Sequence, residues 1–273
     1  MNAFKKLPHP RMKLRAPLHL TRIPLNHLLP NFITLLSLCA GMTAVRFALQ
    51  ERWELALLAI LASSICDALD GRLARLLKGT SQFGAELDSL ADLVAFGVVP
   101  ALVMYLWSLQ EAGPLGWLAV LVFPCCSALR LARFNTHLAD PNPPPYAAQF
   151  FTGVPTPAGA GLCVFPLVLS VGMMENGLGT LAGWHWLIIP WMLAVGALMI
   201  SRLPTFSFKK MRVASDIAVF ILLGAVLGVA ILVTVPWLGI TLVLGGYILS
   251  LPLGLLHYRS LAKAHRAEET PAA

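Results

Sequence analysis

Charge is what this sequence has least of. Of its 273 residues only 13 are Asp or Glu, and charged residues of both signs together make up 12%. An ordinary soluble domain carries about 25%. So little charge over this length cannot cover a water-facing surface, which excludes a cytosolic globular enzyme and a disordered chain alike. Cysteine is also scarce. Cys39, Cys66, Cys125, Cys126 and Cys163 all lie in apolar runs and none forms a CxxC pair. That excludes a secreted disulfide scaffold and reads instead as five buried small hydrophobes. Alternating polar and apolar stretches are missing, so a closed β-barrel is not expected. There is no internal repeat and no low-complexity tract. The basic residues are not interleaved with aromatics as nucleic-acid binding requires, so nucleic acid is not an expected partner. The net charge of +7 on so apolar a chain suits anionic lipid headgroups better.

What the chain has in abundance is apolar length. Hydrophobic residues reach 58% and the mean hydropathy is +0.75. A membrane helix needs about 20 predominantly apolar residues, and eight stretches qualify, at roughly 30–49, 54–76, 88–109, 115–134, 157–174, 184–201, 214–234 and 237–257. The last two are separated only by Val235-Pro236. The expected class is all-α, a polytopic membrane helical bundle of about eight transmembrane helices.

Loop charges orient it. Lys5, Lys6, Arg11, Lys13, Arg15 and Arg22 precede the first span. Arg75 and Lys78 follow the second, Arg130 and Arg133 close the fourth, and Arg202, Lys209, Lys210 and Arg212 follow the sixth. Arg259, Lys263 and Arg266 lie in the tail. Only Arg46 and Arg52 of the 20 basic residues fall on the opposite side. Both termini are therefore expected inside. Residues 1–28 are expected to form a basic segment lying on the cytoplasmic leaflet, or else a disordered basic tail, rather than a cleavable signal. Residues 259–273 read as a cytoplasmic tail ending in the disordered AHRAEETPAA. Lys209, Lys210 and Arg212 read as a headgroup-binding surface.

Against this background four acidic residues stand out. Asp67 and Asp70 are three apart in the second span, and Asp88 and Asp92 four apart in the third. Each pair shares a helix face. An ionisable group inside a membrane segment costs about 2.5–3.5 kcal/mol on insertion scales, so four in one hairpin call for a function. KGTSQFGAEL turns the chain back and lets the four carboxylates meet. Alone they would repel one another; as ligands of divalent cations they would not. Oxygen-only donors favour Mg2+ or Mn2+, and no His or Cys completes a zinc site. Four Asp suit a two-metal cluster of the kind that stabilises attacking and leaving oxygens in phosphoryl chemistry. Gly71, Ala74 and Gly84 lack bulk and would let a nucleotide approach the backbone. Arg75 can grip a phosphate. The bland readings are an Asp cap and small-residue helix packing; each fits one residue, none the joint pattern.

The string Asp67-x2-Asp70-Gly71-x2-Ala74-Arg75-x8-Gly84-x3-Asp88-x3-Asp92 resembles the CDP-alcohol phosphotransferase motif at every defined position. Upstream, LPNFITLLSLCAG has the Pro-Asn-x-x-Thr pattern of that family's first span, with Ser37 where relatives often carry Asn. Downstream, DSLADLVAFGVVPAL, ALRLARFN and FTGVPTPAGA are similar to its integral-membrane phosphatidylserine synthase branch. The similarity covers roughly residues 28–165, the later spans only in hydropathy.

The resemblance implies a reaction: CDP-diacylglycerol and L-serine would give phosphatidylserine and CMP. It implies two divalent cations, with Asp67 and Asp88 bridging them, Asp70 completing one site and Asp92 the other. Asp92 would also be the general base. Asn31, Thr34, Gly71, Arg75 and Ser81 match CDP-contacting positions of relatives, with Ala74 and Gly84 beside them. The implied architecture is a homodimer in the bacterial inner membrane with its polar cavity open to the cytoplasm. A six-helix core over 29–201 would carry a C-terminal transmembrane hairpin at 202–258.

For the acceptor, Arg130, Arg133 and Asn135 sit at the cytoplasmic end of the fourth span. One Arg is expected on the serine carboxylate and the other on a substrate phosphate, unless both merely snorkel. Thr152 and Thr156 could add hydroxyl donors. His137 reads as a solvated loop residue. Glycerol phosphate, inositol phosphate or choline remain alternative acceptors, and an ion-coupled transporter is the alternative from another class. The absence of a matching acidic pair in the second half speaks against a transporter.

Overall fold

A computed structural model describes residues 25–77, 79, 81–137, 150–201, 204–206 and 215–269. Helix dominates, as the apolar runs require: in hydrocarbon every backbone polar group must be paired within the chain. The order is α1 (Leu25–Leu49), α2 (Trp53–Leu76), α3 (Gln82–Asp92), a π turn (Leu93–Val98), α4 (Val99–Trp107), a 3-10 turn (Leu109–Ala112) and α5 (Gly113–His137). There follow β1 (Phe150–Thr152), α6 (Thr156–Cys163), α7 (Phe165–Glu175), α8 (His185–Ile200), β2 (Pro204–Phe206), α9 (Ser215–Thr234) and α10 (Pro236–Glu269). Helix occupies each of the eight apolar stretches. Among the described residues three runs are long and apolar enough to cross a membrane: Leu28–Leu49, Gln82–Trp107 and Leu109–Thr136. The α6–α7 pair is a fourth if its halves count as one span, and α8 and Pro236–Pro252 are shorter apolar helices. In α2, which is equally long, Glu54, Asp67, Asp70, Arg72 and Arg75 lower the apolarity.

Where the structure departs from the expected spans, proline and capping explain it. The third span begins at Gln82, one and a half turns before residue 88, because Ser81 caps the helix and its Oγ accepts from the Gly84 N–H at 3.0 Å. Asp88 and Asp92 therefore lie well inside a helix. The same span opens into a π turn directly after Asp92. Pro100 has no N–H for the Phe96 carbonyl and its ring crowds it, so the preceding turn widens. Such turns are frequent at functional sites.

The fifth span is bent by 45° at Val164. Pro166 cannot donate to the Leu162 carbonyl four residues back, and the Trp191 indole Nε1 donates to it instead, at 2.8 Å. Trp191→Phe is expected to leave that carbonyl without this donor and to lower stability by about 1–3 kcal/mol, read as a drop in the Tm of the purified protein in detergent. A two-stranded antiparallel ribbon, with Phe151 opposite Thr205, adds strand where none was expected. Helix α10 continues to Glu269, where a disordered end was expected; Ala, Lys, Arg and Glu there are strong helix formers. The basic segment up to residue 24, and Lys78, Arg202, Lys209, Lys210 and Arg212, lie outside the described residues, as does the His137 side chain.

The cysteines also depart from expectation. Cys126 and Cys163 are buried, but Cys39 and Cys125 are exposed on the outside of the bundle. Beside them on the outer faces stand Phe32, Leu36, Met42, Leu121 and Leu129, all exposed. An apolar position is no guide to the interior when the surrounding solvent is lipid. The true core lies between α4, α5, α6, α7 and α8, around Met104, Phe123, Leu162, Leu167, Met192 and Met199. Helices α1 and α2 form the most extensive helix pair.

Candidate active site

The two halves of the acidic motif meet as the hairpin predicted. Carboxylate oxygens of Asp67, Asp70 and Asp88 all lie within 4.8 Å of one another. Asp92 stands one turn beyond Asp88 and is not in this trio, but its carboxyl is within hydrogen-bond reach of that of Asp67. Asp70 is 4% exposed, so its alignment depends on neighbours. Thr34 supplies it: the hydroxyl lies 2.6 Å from Asp70 Oδ2 and donates to it, with the Pro30 carbonyl behind at 3.1 Å. Three all-oxygen carboxylates at this spacing fit a hard divalent cation.

The hairpin is held by a second polar contact one turn further in. The Ser37 Oγ donates to the Ser63 carbonyl and the Ser63 Oγ to the Ser37 carbonyl, both at 2.9 Å. Ser37 therefore ties α1 to α2 rather than facing a ligand. A Cβ at Gly41 would sit 3.2 Å from Cα of Ala95, so α1 also touches the π turn. Thr34, Ser37 and Gly41 form one stripe that positions the acidic residues of α2 against those of α3. Thr34→Val keeps the shape and removes the hydrogen bond to Asp70. The expected result is a 10–100-fold rise in the Mn2+ concentration needed for half-maximal activity, measured by metal titration of the chelator-treated protein.

The other residues of the motif take distinct places. Among the described residues nothing lies within 4 Å of a Cβ built on Gly71, so the α2 backbone is open there, as close approach of a nucleotide requires. Arg75 is exposed in the last turn of α2 and Ala74 half-buried beside it. Gly84 is filled from within the protein: an added Cβ would fall 2.8 Å from Oδ1 of Asn31 and 3.1 Å from Oγ of Ser81. Asn31, Ser81 and Gly84 thus form one cluster at the start of α3, one turn before Asp88.

The basic residues of α5 reach the same end of the bundle with different partners. Arg130 donates through Nη1 to the Thr156 hydroxyl at the start of α6 and interacts electrostatically with Asp92. Arg133 donates through Nη1 to the Ile200 carbonyl at 2.7 Å, capping the C-terminus of α8. Asn135 Nδ2 donates to the Ser89 Oγ at 3.1 Å, next to Asp88. The FTGVPTPAGA segment explains itself in the same region. Gly153 has φ +78 and a Cβ there would lie 2.8 Å from the Met199 and Ser201 carbonyl oxygens, so only glycine passes over the end of α8. Thr156 then starts α6, and Gly159 admits Met199, whose Sδ is 2.6 Å from the position of a Cβ.

A family model described as CDP-alcohol phosphatidyltransferase matches residues 27–243, from the start of α1 into α10. The chain belongs to this family. Three relatives similar to it carry the name CDP-diacylglycerol–serine O-phosphatidyltransferase. That of Mycobacterium leprae is 41% identical over 242 residues, which is 86% of this chain and 77% of the relative. That of Helicobacter pylori strain 26695 is 37% identical over 195 residues, 70% and 77% of the two chains. That of Bacillus subtilis strain 168 is 31% identical over 182 residues, 67% and 92%. Family membership removes the reason for the transporter reading.

The sequence singles out the four Asp and the α5 Arg residues. It does not show the tie from Thr34 to Asp70, nor the one from Thr156 to Arg130. The Pro-Asn-x-x-Thr and Gly-x-Pro-Thr-Pro strings were visible, but a hydroxyl in a sequence does not say which charge it will meet.

Proposed function

We propose that this protein transfers the phosphatidyl group of CDP-diacylglycerol to the hydroxyl of L-serine, giving phosphatidylserine and CMP. The observation that carries this reading is the close approach of Asp67, Asp70 and Asp88 with Asp92 at their side. Family membership and the shared name of the relatives support the substrates.

Asp67, Asp70 and Asp88 would hold divalent cations, Mg2+ or Mn2+, with Asp92 as the further ligand. The cations' chemistry there is to take up charge on phosphoryl oxygens. The chain's own residues do the rest. Thr34 keeps Asp70 turned toward its partners. The open backbone at Gly71 receives the cytidine diphosphate and Arg75 its phosphate, with Asn31, Ala74, Ser81 and Gly84 shaping the wall. Asp92 accepts the proton of the serine hydroxyl as its oxygen bonds to the phosphorus bearing the lipid. The bond from that phosphorus to the CMP oxygen breaks, and CMP leaves. Arg130, beside Asp92, receives the serine carboxylate. Arg133, already spent on α8, acts mainly by fixing the end of that helix, and Asn135 by fixing α5 to α3.

The reading includes eight spans, a homodimer and a site facing the cytoplasm of a bacterial inner membrane. Support comes from the loop charges: Arg75, Arg130 and Arg133 share the end of the bundle that holds the carboxylates, while Arg46 and Arg52 end and follow α1 at the other. The test is an acceptor panel of L-serine, glycerol phosphate, inositol phosphate and choline, with isotope-labelled acceptor followed into lipid. Label from serine alone in an aminophospholipid is the expected result. Label from another acceptor keeps the centre and overturns the choice of serine.

A further inference from the structure

The C-terminal hairpin has no part in the acidic motif, yet it delivers one polar group to the site. Helix α10 packs firmly on the core. Trp237 is buried, and Leu244, Tyr247, Ile248 and Leu251 lie against the central apolar cluster. At Gly161 of α6 an added Cβ would come 3.0 Å from Leu244 Cδ2. One turn after Leu244, the Tyr247 hydroxyl is buried with no hydrogen-bond partner among the described residues. Arg130 Nε is in the same condition. The two residues are near enough to interact electrostatically, but they do not use each other.

A buried donor without a partner lowers stability, and two within electrostatic range of each other in a well-packed place require a reason. Their chemistry narrows it. Arg130 has Nη1 engaged on Thr156, which leaves the edge formed by Nε and Nη2. That edge presents two parallel N–H groups, the geometry that suits a carboxylate. A tyrosine hydroxyl beside it adds a third donor. Arg130 also interacts electrostatically with Asp92, so an acceptor whose carboxylate lies on Arg130 is held on the same side of the site as the group that receives its hydroxyl proton.

We propose that Tyr247 of α10, together with Arg130, binds the carboxylate of the amino-acid acceptor and so sets acceptor specificity from the C-terminal hairpin. This rests on the phosphatidyl-transfer reading above and adds to it a residue outside the motif. It also gives the hairpin a role: it closes the acceptor side of the site.

The test is Tyr247→Phe in the full-length protein, purified in detergent with Mn2+, assayed with L-serine and with serinol, in which a hydroxymethyl group replaces the carboxylate. A hydrogen bond to a charged group corresponds to a loss on the order of tenfold to a hundredfold. The KM for serine is expected to rise by that factor, with kcat and the KM for CDP-diacylglycerol little changed. The rate with serinol is expected to stay the same, so the preference for serine over serinol falls by the same factor. An unchanged serine KM overturns the proposal, and so does an equal loss on serine and serinol, which marks a structural role. Loss of fold also overturns it, because a hydroxyl with no protein partner is not needed for folding. If the unaltered protein releases no CMP with serine, the reaction itself has been misread and Tyr247 falls with it. An active unaltered protein beside an unaffected variant refutes Tyr247 alone.

Discussion

Asp67→Asn is expected to reduce CMP release by about a thousandfold or more while leaving the protein folded. Asp67 is the hub of the site: its carboxylate belongs to the close trio with Asp70 and Asp88 and also meets Asp92. In the proposed site removing its charge would take a ligand from the cations, and metal stabilisation of a phosphoryl-transfer transition state is worth several kcal/mol, which is a thousandfold in rate. Asn has nearly the shape of Asp, and it relieves repulsion among crowded carboxylates. In the absence of metal the Tm of the variant should therefore equal or exceed that of the unaltered protein. Added Mn2+ should raise the Tm of the unaltered protein through preferential binding to the folded state and raise that of the variant little. Measuring both Tm values with and without Mn2+, beside the rates, separates a ligand from a merely structural acid.

Asp92→Asn is expected to behave differently. Asp92 lies outside the trio and interacts electrostatically with Arg130, and its proposed main task is the acceptor's proton. Loss of a general base costs about 10^2–10^4 in rate. The fall should appear in kcat, with the KM for CDP-diacylglycerol nearly unchanged and the Mn2+-induced Tm gain reduced less than in Asp67→Asn, because Asp92 is the further ligand outside the close trio. Equal loss of that gain in both variants would make metal binding, and not the proton, its main task.

The contrast between these two residues shows how far the sequence could be read. Spacings of three and four place Asp67 with Asp70, and Asp88 with Asp92, on single faces, and a short connection between two apolar helices brings the faces together. That much follows from helical geometry. It does not follow that three of the four crowd together while the fourth stands outside the trio and meets Asp67, because side-chain grouping is decided by packing. The π turn after Asp92 follows from Pro100 once seen, but a proline in a long apolar run predicts a disturbance without its form. Arg133 looked equivalent to Arg130 at a spacing of three; only the position of the α8 terminus assigns it to the Ile200 carbonyl. The exposed Cys39 and Cys125 mark the general limit in a membrane, where the same residues suit the interior and the surface. Tyr247 is the extreme case. It sits in a glycine-rich apolar helix far from the motif in sequence, and only the docking of α10 beside α6 brings it to Arg130.

The most direct measurement is CMP release from CDP-diacylglycerol by the purified, chelator-treated protein, with and without added Mn2+ or Mg2+ and with and without L-serine. The account predicts release only when metal and serine are both present, with one phosphatidylserine formed for each CMP. Release that persists after the metal is removed would contradict the role given to the carboxylate cluster. Failure with every acceptor, in protein shown to be folded and metal-loaded, would contradict phosphatidyl transfer itself.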